Sequence, residues 1–310
     1  MKRQTILIIG ASGLVGSGFV SEVIKNKFID ELITPSHKEM DITDLLSLKK
    51  NIDMYRPDVI VNFAAHRNAN TAEEQRGNKT ASAWMVNVEG VKNLVKLCKF
   101  KKIRLIQIST DYVFGGRKDK KGPYSEEELP EKNKKRLSWY GWTKRLAEKV
   151  VLEGGINNCV VRIGNVVKPV YDPKLDYVGK VLWLYDQNKL YPIFDNQFLT
   201  LSYVPEISKA LMNLLNSKKI GGVFHVASCD STTPFDMAEY LLLKSRSKKG
   251  IIKRSDIDKF SRNNPNRYPK YGGLKTKNTQ SKLKIEFSSW KKIVDEFIKH
   301  ADILNNKKNK

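Results

Sequence analysis

A tyrosine and a lysine four residues apart in the middle of the chain could carry out proton transfer. Tyr140 and Lys144 stand in the motif YGWTK, a spacing that places both on one face of a helix. A lysine ammonium beside a phenol favours the phenolate and is expected to lower the pKa of the phenol, so that it exchanges a proton with a carbonyl or alcohol oxygen near neutral pH. Thr110, next to Ser109 at the end of an apolar run, could hydrogen-bond the same oxygen. The candidate catalytic set is therefore Thr110, Tyr140 and Lys144.

The position of this motif matters because tyrosine and lysine are common in the chain. The pattern YxxxK also begins at Tyr185, Tyr240 and Tyr271. Only Tyr140 opens a predicted helix between two strands of the amino-terminal half, and open parallel sheets bind ligands outside the carboxyl ends of their strands. The alternative, in which Thr110 caps a turn and Tyr140 is a surface aromatic, leaves this coincidence unexplained.

A glycine-rich turn near the start of the chain could bind a dinucleotide. The sequence GASGLVG at 10–16 separates an apolar run at 5–9 from a helical pattern at 14–27. Glycines allow a sharp turn and a close approach of backbone N–H groups to a pyrophosphate, which the helix amino terminus also attracts. The spacing is GxxGxxG, because a serine replaces the middle glycine of the commoner fingerprint. The candidate cofactor-binding residues of this turn are Gly10, Ser12, Gly13, Leu14, Val15 and Gly16.

The residues after the second predicted strand bear on which dinucleotide would bind. A carboxylate there would hold the ribose 2′-hydroxyl and indicate NAD. A hydroxyl and basic side chains that suit a 2′-phosphate, and so favour NADP, stand there instead, at Ser36, His37 and Lys38. NAD remains the alternative if Asp30 or Glu31 is the carboxylate. Asp41 and Ile42 could flank the adenine.

The elements that must position these residues alternate along the first half of the chain. Strands are predicted at 5–9, 32–34, 59–63, 103–108 and 159–162, and helices at 14–27, 44–54, 81–98 and 139–152. Strands with nearly continuous Ile, Val and Leu indicate a parallel sheet covered on both faces. We therefore predict an α/β fold, a doubly wound parallel sheet of Rossmann type, followed by a smaller carboxyl-terminal α/β domain. The expected boundaries are 1–164, completed by 204–228, for the first domain, and 165–203 with 229–310 for the second.

Between the fourth strand and the helix that carries Tyr140, the charged segment 116–138 is predicted to be a surface loop. Further helices are predicted at 176–188, 205–216, 234–244 and 289–304, and short strands at 191–194 and 223–226.

Composition narrows the classes of function. The 310 residues are 40% hydrophobic and 29% charged, which predicts a globular chain. The formal net charge is +23, and residues 244–310 hold 20 Lys and Arg against 6 Asp and Glu. Because aromatic residues do not alternate with these basic residues, the pattern favours solvated faces over a nucleic-acid surface, and the positive field would also attract a phosphorylated small substrate.

The same sequence carries no run of about 18 apolar residues, and the basic residues 2–3 lead directly into a strand-like segment, so we expect a soluble, cytoplasmic protein with no membrane partner. The cysteines, Cys98, Cys159 and Cys229, are odd in number and form no CxxC pair, which predicts neither a disulfide nor a metal site.

Several motifs together resemble the extended short-chain dehydrogenase/reductase family. They are GASGLVG, DITD at 41–44, RPDVIVNFAAH at 56–66, Val86-Asn87, STDYVFGG, YGWTK and RIGNVVKP. Within that family, DITD, STDYVF and the late LKTKNTQSKLKIEFSSW are most similar to the dTDP-4-dehydrorhamnose reductases. The resemblance implies a Rossmann domain, a nicotinamide cofactor, and reduction of a 4-keto nucleotide sugar held by the carboxyl-terminal domain, with the proton supplied by Tyr140.

The resemblance also implies roles for further residues. Asn87 would support the active-site helix and a proton-relay water. Contacts to the cofactor are implied for Phe63, Ala64, Ala65, Asn87, Ser109, Tyr140 and Lys144, and contacts to the substrate for Thr110, Asp111, Tyr112 and Asn165.

Two alternatives stay open. Arg162 and Asn165 match the RxxN of nucleotide-sugar epimerases, which retain NAD tightly and in which the asparagine contacts the substrate diphosphate. A non-catalytic dinucleotide-binding regulatory subunit is the other alternative. A dehydratase is disfavoured because Tyr112 follows Asp111, where dehydratases use a glutamate. The resemblance also implies a homodimer formed through the helices at 81–98 and 139–152.

Overall fold

The computed structural model describes residues 4–28, 31–169, 171, 176–217 and 219–308. The chain divides into two compact units. The first comprises Met1–Gly115, Leu129–Arg162 and Ser208–Phe224. The second comprises Gly116–Glu128, Ile163–Ile207 and His225–Lys310.

A six-stranded sheet forms the centre of the first unit. The strands of the chain are β1 (Thr5–Ile9), β2 (Glu31–Ile33), β3 (Val59–Asn62), β4 (Arg104–Thr110), β5 (Cys159–Ile163), β6 (Asn165–Val167), β7 (Ile193–Phe194), β8 (Leu201–Tyr203), β9 (Gly222–Val226) and β10 (Arg254–Ser255). The sheet has the order β2-β1-β3-β4-β5-β9. β1 pairs in parallel with β2 and β3, and β3 pairs in parallel with β4. The strand order reverses direction at β1, so a topological switch point lies between β1 and β3.

The central strands are buried on both faces. The register places Ile8 opposite Val61 and Val61 opposite Ile106. All three side chains are fully buried. A strand covered on both sides needs apolar residues at successive positions rather than at alternate ones, which is the pattern of these segments. The predicted doubly wound α/β fold is confirmed.

The helices follow the strands as a parallel topology requires. They are α1 (Leu14–Lys25), α2 (Leu45–Tyr55), α3 (Ala69–Glu74), α4 (Ser82–Trp84), α5 (Gly90–Lys101), α6 (Trp139–Gly154), α7 (Tyr177–Asp186), α8 (Val204–Asn216), α9 (Pro234–Arg246), α10 (Ile257–Asn263), α11 (Lys277–Leu283) and α12 (Trp290–Lys308). A π-helical turn, Met85–Glu89, joins α4 to α5, so the predicted helix at 81–98 is one interrupted helix.

The second unit has its own apolar core. Two short parallel pairs, β6 with β8 and β10 with β7, accompany helices α7, α9 and α12. Their core residues are buried together and include Val167, Leu201, Leu241, Val294 and Phe297. Among the described residues, no helix combines the length and apolar character that a bilayer crossing requires.

The prediction of a surface loop at 116–138 is wrong for part of that segment. Residues Gly116–Glu128 belong to the second unit, and the Tyr124 side chain is only 1% exposed. Glu126 is also buried, where it accepts hydrogen bonds from the backbone N–H and the hydroxyl of Thr279, at 2.9 and 2.7 Å. Contacts more than a hundred residues apart in sequence bury this stretch, and its charged composition gave no signal of them.

Candidate active site

The carboxyl ends of three neighbouring strands bring the candidate residues to one edge of the sheet. Gly10 follows β1, Phe63 follows β3, and Thr110 is the last residue of β4. Because these strands are parallel and adjacent, their ends lie side by side. This edge includes the switch point between β1 and β3, where α/β sheets of this kind bind ligands.

The glycine turn leaves no room for side chains. Gly10 has a φ of +79°, and a Cβ there would lie 2.7 Å from the backbone nitrogen of Ala64. A Cβ at Gly16 would lie 2.3 Å from the carbonyl oxygen of Gly10. Gly10 therefore allows the turn to approach the loop after β3, and Gly16 allows the start of α1 to approach the turn.

The same turn leads into a helix amino terminus. Gly13 is the N-cap of α1 and supplies no side-chain hydrogen bond to it, while Leu14 and Gly16 are buried in its first turn. Ser12 is exposed and Val15 is partly buried. A pyrophosphate would therefore meet the backbone N–H groups and the positive end of the helix dipole, so the predicted cradle fits a dinucleotide.

The turn after β2 carries the residues predicted to select the dinucleotide. Ser36, His37 and Lys38 are exposed there. The carboxylate of Glu39 accepts a hydrogen bond from the backbone N–H of Ser36 at 2.7 Å, and this bond holds the pKa of Glu39 below its ordinary value. Glu39 therefore places a negative charge in the same turn as Lys38, a feature that the sequence reasoning missed.

The other residues predicted near the dinucleotide have partners elsewhere in the protein. Glu31 lies at the start of β2, and its carboxylate accepts a hydrogen bond from the Thr5 hydroxyl at 2.5 Å; Asp30 lies outside the described residues. Asp41 accepts hydrogen bonds from the backbone N–H and hydroxyl of Thr43. The Ile42 side chain is buried among core residues.

Asn87 fastens the loop after β3 to the helix that carries Tyr140. Its side-chain oxygen accepts a hydrogen bond from the backbone N–H of His66 at 2.9 Å, and its Nδ2 donates to the His66 carbonyl and to the Thr143 hydroxyl, both at 3.0 Å. The Thr143 hydroxyl donates in turn to the carbonyl of Tyr140 at 2.8 Å. Asn87 lies in the π-helical turn, a feature that often marks functional sites. The bonds tie α6 to the loop that contains Ala64 and Ala65.

Thr110 and the two residues after it form a tight turn that contacts Tyr140. Thr110 is the N-cap of a 3₁₀ turn at Asp111–Val113, and its Oγ1 accepts from the backbone N–H of Tyr112 at 3.3 Å. Thr110 and Asp111 are buried, and the Tyr112 ring meets the Tyr140 ring edge-on, with centroids 5.7 Å apart. The Thr110 side chain lies near the Tyr140 phenol and lowers its pKa.

Helix α6 presents Tyr140 and Lys144 as the spacing predicts. Ser138 caps the helix by accepting a hydrogen bond from the backbone N–H of Gly141 at 3.1 Å. A Cβ at Gly141 would lie 2.2 Å from the carbonyl oxygen of Tyr112, so only glycine allows the helix to approach the 3₁₀ turn this closely. The Lys144 Nζ donates a hydrogen bond to the carbonyl of Ile108 at 2.7 Å.

The protonation states differ from the expectation. Burial raises the pKa of Tyr140 to about 12, against the influence of the neighbouring Thr110 side chain, which lowers it. Burial also lowers the pKa of Lys144 to about 8, although the nearby Glu148 carboxylate raises it. The prediction that the phenol has a pKa near neutrality is therefore wrong, because burial raises that pKa by more than the neighbouring polar groups lower it. At neutral pH, Tyr140 carries its proton and can act as an acid.

Two further predicted residues have other partners. The Ser109 hydroxyl donates to the Glu148 carboxylate at 2.6 Å, so a cofactor contact of Ser109 remains a prediction for its backbone only. Asn165, in the second unit, is partly buried and donates from Nδ2 to the carbonyl of Thr200 at 3.2 Å.

Sequence reasoning missed Gly141, Thr143, Glu148 and the exposed Arg67, whose positive charge lowers the pKa of Tyr140. Two of them carried a local signal: Gly141 directly follows the tyrosine, and Glu148 stands four residues after Lys144 on the same predicted helix. In the described part of the chain, no three His, Cys, Asp or Glu side chains lie where they could hold a metal ion.

The Rossmann-type sheet, the glycine turn and the Thr-Tyr-Lys set define a protein of the extended short-chain dehydrogenase/reductase class. The family described as RmlD substrate binding domain matches residues 4–303, and the chain belongs to this family.

Curated relatives carry two kinds of name. The dTDP-4-keto-6-deoxy-D-glucose reductase of Streptomyces niveus is 27% identical over 235 residues, which cover 75% of each chain. The methionine adenosyltransferase 2 subunit beta of Pongo abelii is 27% identical over 255 residues, which cover 76% of this chain and 70% of the relative. Among solved structures, the dTDP-4-dehydrorhamnose reductase of Bacillus anthracis, in complex with NADP, has a TM-score of 0.82 at 22% identity and covers 97% of this chain and 100% of that one. This last likeness is one of fold.

Proposed function

We propose that the protein reduces the 4-keto group of a nucleoside-diphosphate sugar with NADPH, or with NADH as the alternative. The observation that carries the proposal is the convergence of Thr110, Tyr140 and Lys144 at the sheet edge where the glycine turn also lies. The names of reductases among the relatives support the same reaction and substrate class.

The chain's own groups fit a dinucleotide. The backbone of 10–16 and the amino terminus of α1 would hold the pyrophosphate, the turn at 36–38 the adenosine ribose with its 2′-phosphate, and Lys144 the nicotinamide ribose. Ala64 and Ala65 would line the path between them. A nicotinamide cofactor, when bound, supplies a hydride for carbonyl reduction.

The protein's part of the reaction is to supply a proton and stabilise charge. The Tyr140 phenol, with its pKa raised to about 12 by burial, holds its proton at pH 7 and would donate it to the substrate oxygen as the carbonyl becomes an alcohol. Thr110 would hydrogen-bond the same oxygen, and the Lys144 ammonium would stabilise negative charge on the oxygen or the phenolate. Acid catalysis of this kind contributes about 10²- to 10⁴-fold in rate.

Thr110, Asp111, Tyr112 and Asn165 remain the proposed substrate contacts. We assign cofactor binding to 1–164 with 204–228, and substrate binding to 165–203 with 229–310. The net charge of +23 suits a diphosphate ligand. A homodimer through the helices at 81–98 and 139–152 belongs to the same proposal.

The test is a turnover assay of the purified protein. NADPH fluorescence is followed with a dTDP-linked 4-keto-6-deoxy sugar, and a thermal-shift panel of dTDP, UDP, GDP and CDP with NADP or NAD defines the base and the cofactor. Consumption of NADPH that depends on the sugar is expected. A folded protein that binds NADPH but never consumes it with any 4-keto nucleotide sugar would contradict the proposal.

Two alternatives give different results in the same assay. An epimerase would interconvert a sugar nucleotide without added cofactor. The relatives named methionine adenosyltransferase 2 subunit beta favour a second alternative, a dinucleotide-binding subunit of another enzyme. Such a subunit would bind the cofactor and turn over no substrate alone. Loss of the Tyr140 hydroxyl would leave its cofactor affinity unchanged.

A further inference from the structure

A buried ionic cluster lies one helical turn from Lys144. Arg162, in β5, donates from Nε and Nη2 to the two carboxylate oxygens of Glu148, at 2.9 and 2.8 Å. Both side chains are 2% exposed. The Ser109 hydroxyl donates to the same carboxylate at 2.6 Å, and the Arg162 guanidinium lies 4.9 Å from the centroid of the Phe114 ring. We call Ser109, Glu148 and Arg162 the carboxylate cluster.

The carboxylate cluster and Lys144 contact the same two elements. Glu148 is four residues after Lys144 in α6, so both project from one face of the helix. Lys144 donates to the carbonyl of Ile108, and Ser109, the next residue of β4, donates to Glu148. Ile108 and Ser109, which are adjacent in β4, thus bond to side chains from two successive turns of α6. The next residue of the strand is Thr110.

Fold stability alone does not account for such a cluster. A buried ion pair gains little over well-packed apolar residues, because removing both charges from water costs about as much as their attraction returns. Hydrogen bonds also fix the orientation of the Glu148 carboxylate, which accepts two from Arg162 and one from Ser109. A fixed negative charge next to a buried lysine is what would keep that lysine an ammonium.

We propose that Glu148 is a positioning residue for Lys144: Arg162 and Ser109 fix its carboxylate, and that carboxylate holds the Lys144 side chain charged and directed at the end of β4. Its effect on turnover rests on the proposed reductase function. Its effect on Lys144 does not.

Several charged groups face this region. Glu148 acts on Lys144 from the same helix and raises its pKa, against burial, which is the larger influence and lowers it to about 8. Tyr140 lies one turn earlier, near Asp111 of the 3₁₀ turn and Arg67 of the loop after β3. Arg162 faces Glu148 from β5. Removal of the carboxylate therefore leaves burial unopposed at Lys144, and the lysine should lose its proton at lower pH.

The test compares three variants. Glu148→Gln leaves Arg162 without its anion, so the principal variant is the double substitution Glu148→Gln with Arg162→Gln, which removes both charges. Glu148→Asp keeps both charges but draws the carboxylate back by one methylene. Glu153→Gln is the matched control, because it removes a glutamate from an exposed ion pair with Lys149 on the same helix.

Lys144 is titrated directly in the absence of cofactor, from the ¹³Cε shift of lysine-labelled protein, with its signal assigned by difference from Lys144→Met. The double variant should titrate Lys144 about one pH unit lower than the parent. The fall of kcat on the alkaline side should move by the same amount, with kcat at pH 8 reduced about fivefold and KM for the sugar little changed. Glu148→Asp should shift both in the same direction by less, and Glu153→Gln should shift neither.

A folded double variant in which Lys144 titrates at the parent's pH would overturn the proposal. If the double variant does not fold, an unshifted Glu148→Asp does the same. Should the parent reduce no 4-keto sugar while the titration moves as expected, the function has failed and the positioning role of Glu148 stands.

Discussion

Lys144 donates a hydrogen bond from Nζ to the main-chain carbonyl oxygen of Ile108, at 2.7 Å, and this bond anchors a buried amine to the central strand of the sheet. A lysine in this position is costly as a cation, because burial lowers its pKa from 10.5 to about 8. The unfolded chain therefore binds the proton more tightly than the folded one between these two values, and the free energy of unfolding contributed by Lys144 rises as the pH rises through that window.

The first prediction concerns this pH dependence. Between about pH 7.5 and pH 10, the unfolding free energy of the parent protein should rise relative to that of Lys144→Met by on the order of 2 kcal/mol, because methionine has no proton to lose. Urea unfolding at the two pH values measures the difference. An identical difference at both would show that Lys144 titrates normally in the fold.

The second prediction concerns the proton donor. Tyr140→Phe should lower kcat about 10²- to 10⁴-fold, since the phenol supplies the proton, and leave NADPH affinity within a few-fold. Stopped-flow turnover and fluorescence titration measure the two. Tyr185→Phe, which alters another YxxxK tyrosine, is the control and should change neither. Undiminished turnover in Tyr140→Phe would remove the phenol from the mechanism.

The third prediction concerns the glycine turn. Gly10→Ala should abolish NADPH binding and destabilise the fold, because its Cβ would lie 2.7 Å from the backbone nitrogen of Ala64 at a φ of +79°. Gly77→Ala is the control: its φ is +86°, yet no atom lies within 4 Å of the new Cβ. Calorimetric titration with NADPH and melting curves are measured for both variants. Backbone strain is common to the two variants, so a larger loss in Gly10→Ala reports the steric contact. Equal losses in the two variants would argue against a close approach at the turn.

The fourth prediction concerns cofactor choice. Lys38→Ala should weaken NADPH binding about tenfold and leave NADH binding nearly unchanged, since the ammonium would meet only the 2′-phosphate. Glu39→Gln should act in the opposite direction, because it removes a negative charge from the same turn. Lys96→Ala, an exposed lysine of α5, controls for the general loss of positive charge. Parallel losses for both cofactors in Lys38→Ala would place the ribose elsewhere.

The fifth prediction concerns Asn87. Asn87→Ala would leave the N–H and carbonyl groups of His66 and the Thr143 hydroxyl without their partner, which should cost about 1–3 kcal/mol and also lower kcat, because Thr143 bonds to the carbonyl of Tyr140. Asn93→Ala is the comparison: it removes a bond to the Ile42 carbonyl and should cost stability alone. Urea unfolding and turnover under saturating substrate check both. A normal kcat in Asn87→Ala would mean that the Tyr140 end of α6 is positioned without it.

The strands, the glycine turn and the tyrosine helix were predictable because their signals are local. A covered parallel strand must be apolar at successive residues, as at Val59, Ile60 and Val61, and a turn that meets a neighbouring backbone must be glycine. Helical spacing alone places Tyr140 and Lys144 on one face. The extra short helices α3, α10 and α11 were missed, since six or seven residues carry too little periodicity to be recognised.

The sequence by itself therefore determined the α/β fold, the dinucleotide turn and the two residues of the helix that face the sheet edge. Only the tertiary structure decided their pKa values: burial, which depends on everything packed around them, raises the pKa of the phenol to about 12 and lowers that of the lysine to about 8. It also brought Ser109, Glu148 and Arg162 together from a strand, a helix and another strand. Contacts between distant segments leave no periodic trace in a single sequence, and for that reason the bonds from Ser109 and Arg162 that fix the Glu148 carboxylate could be found only in the folded chain.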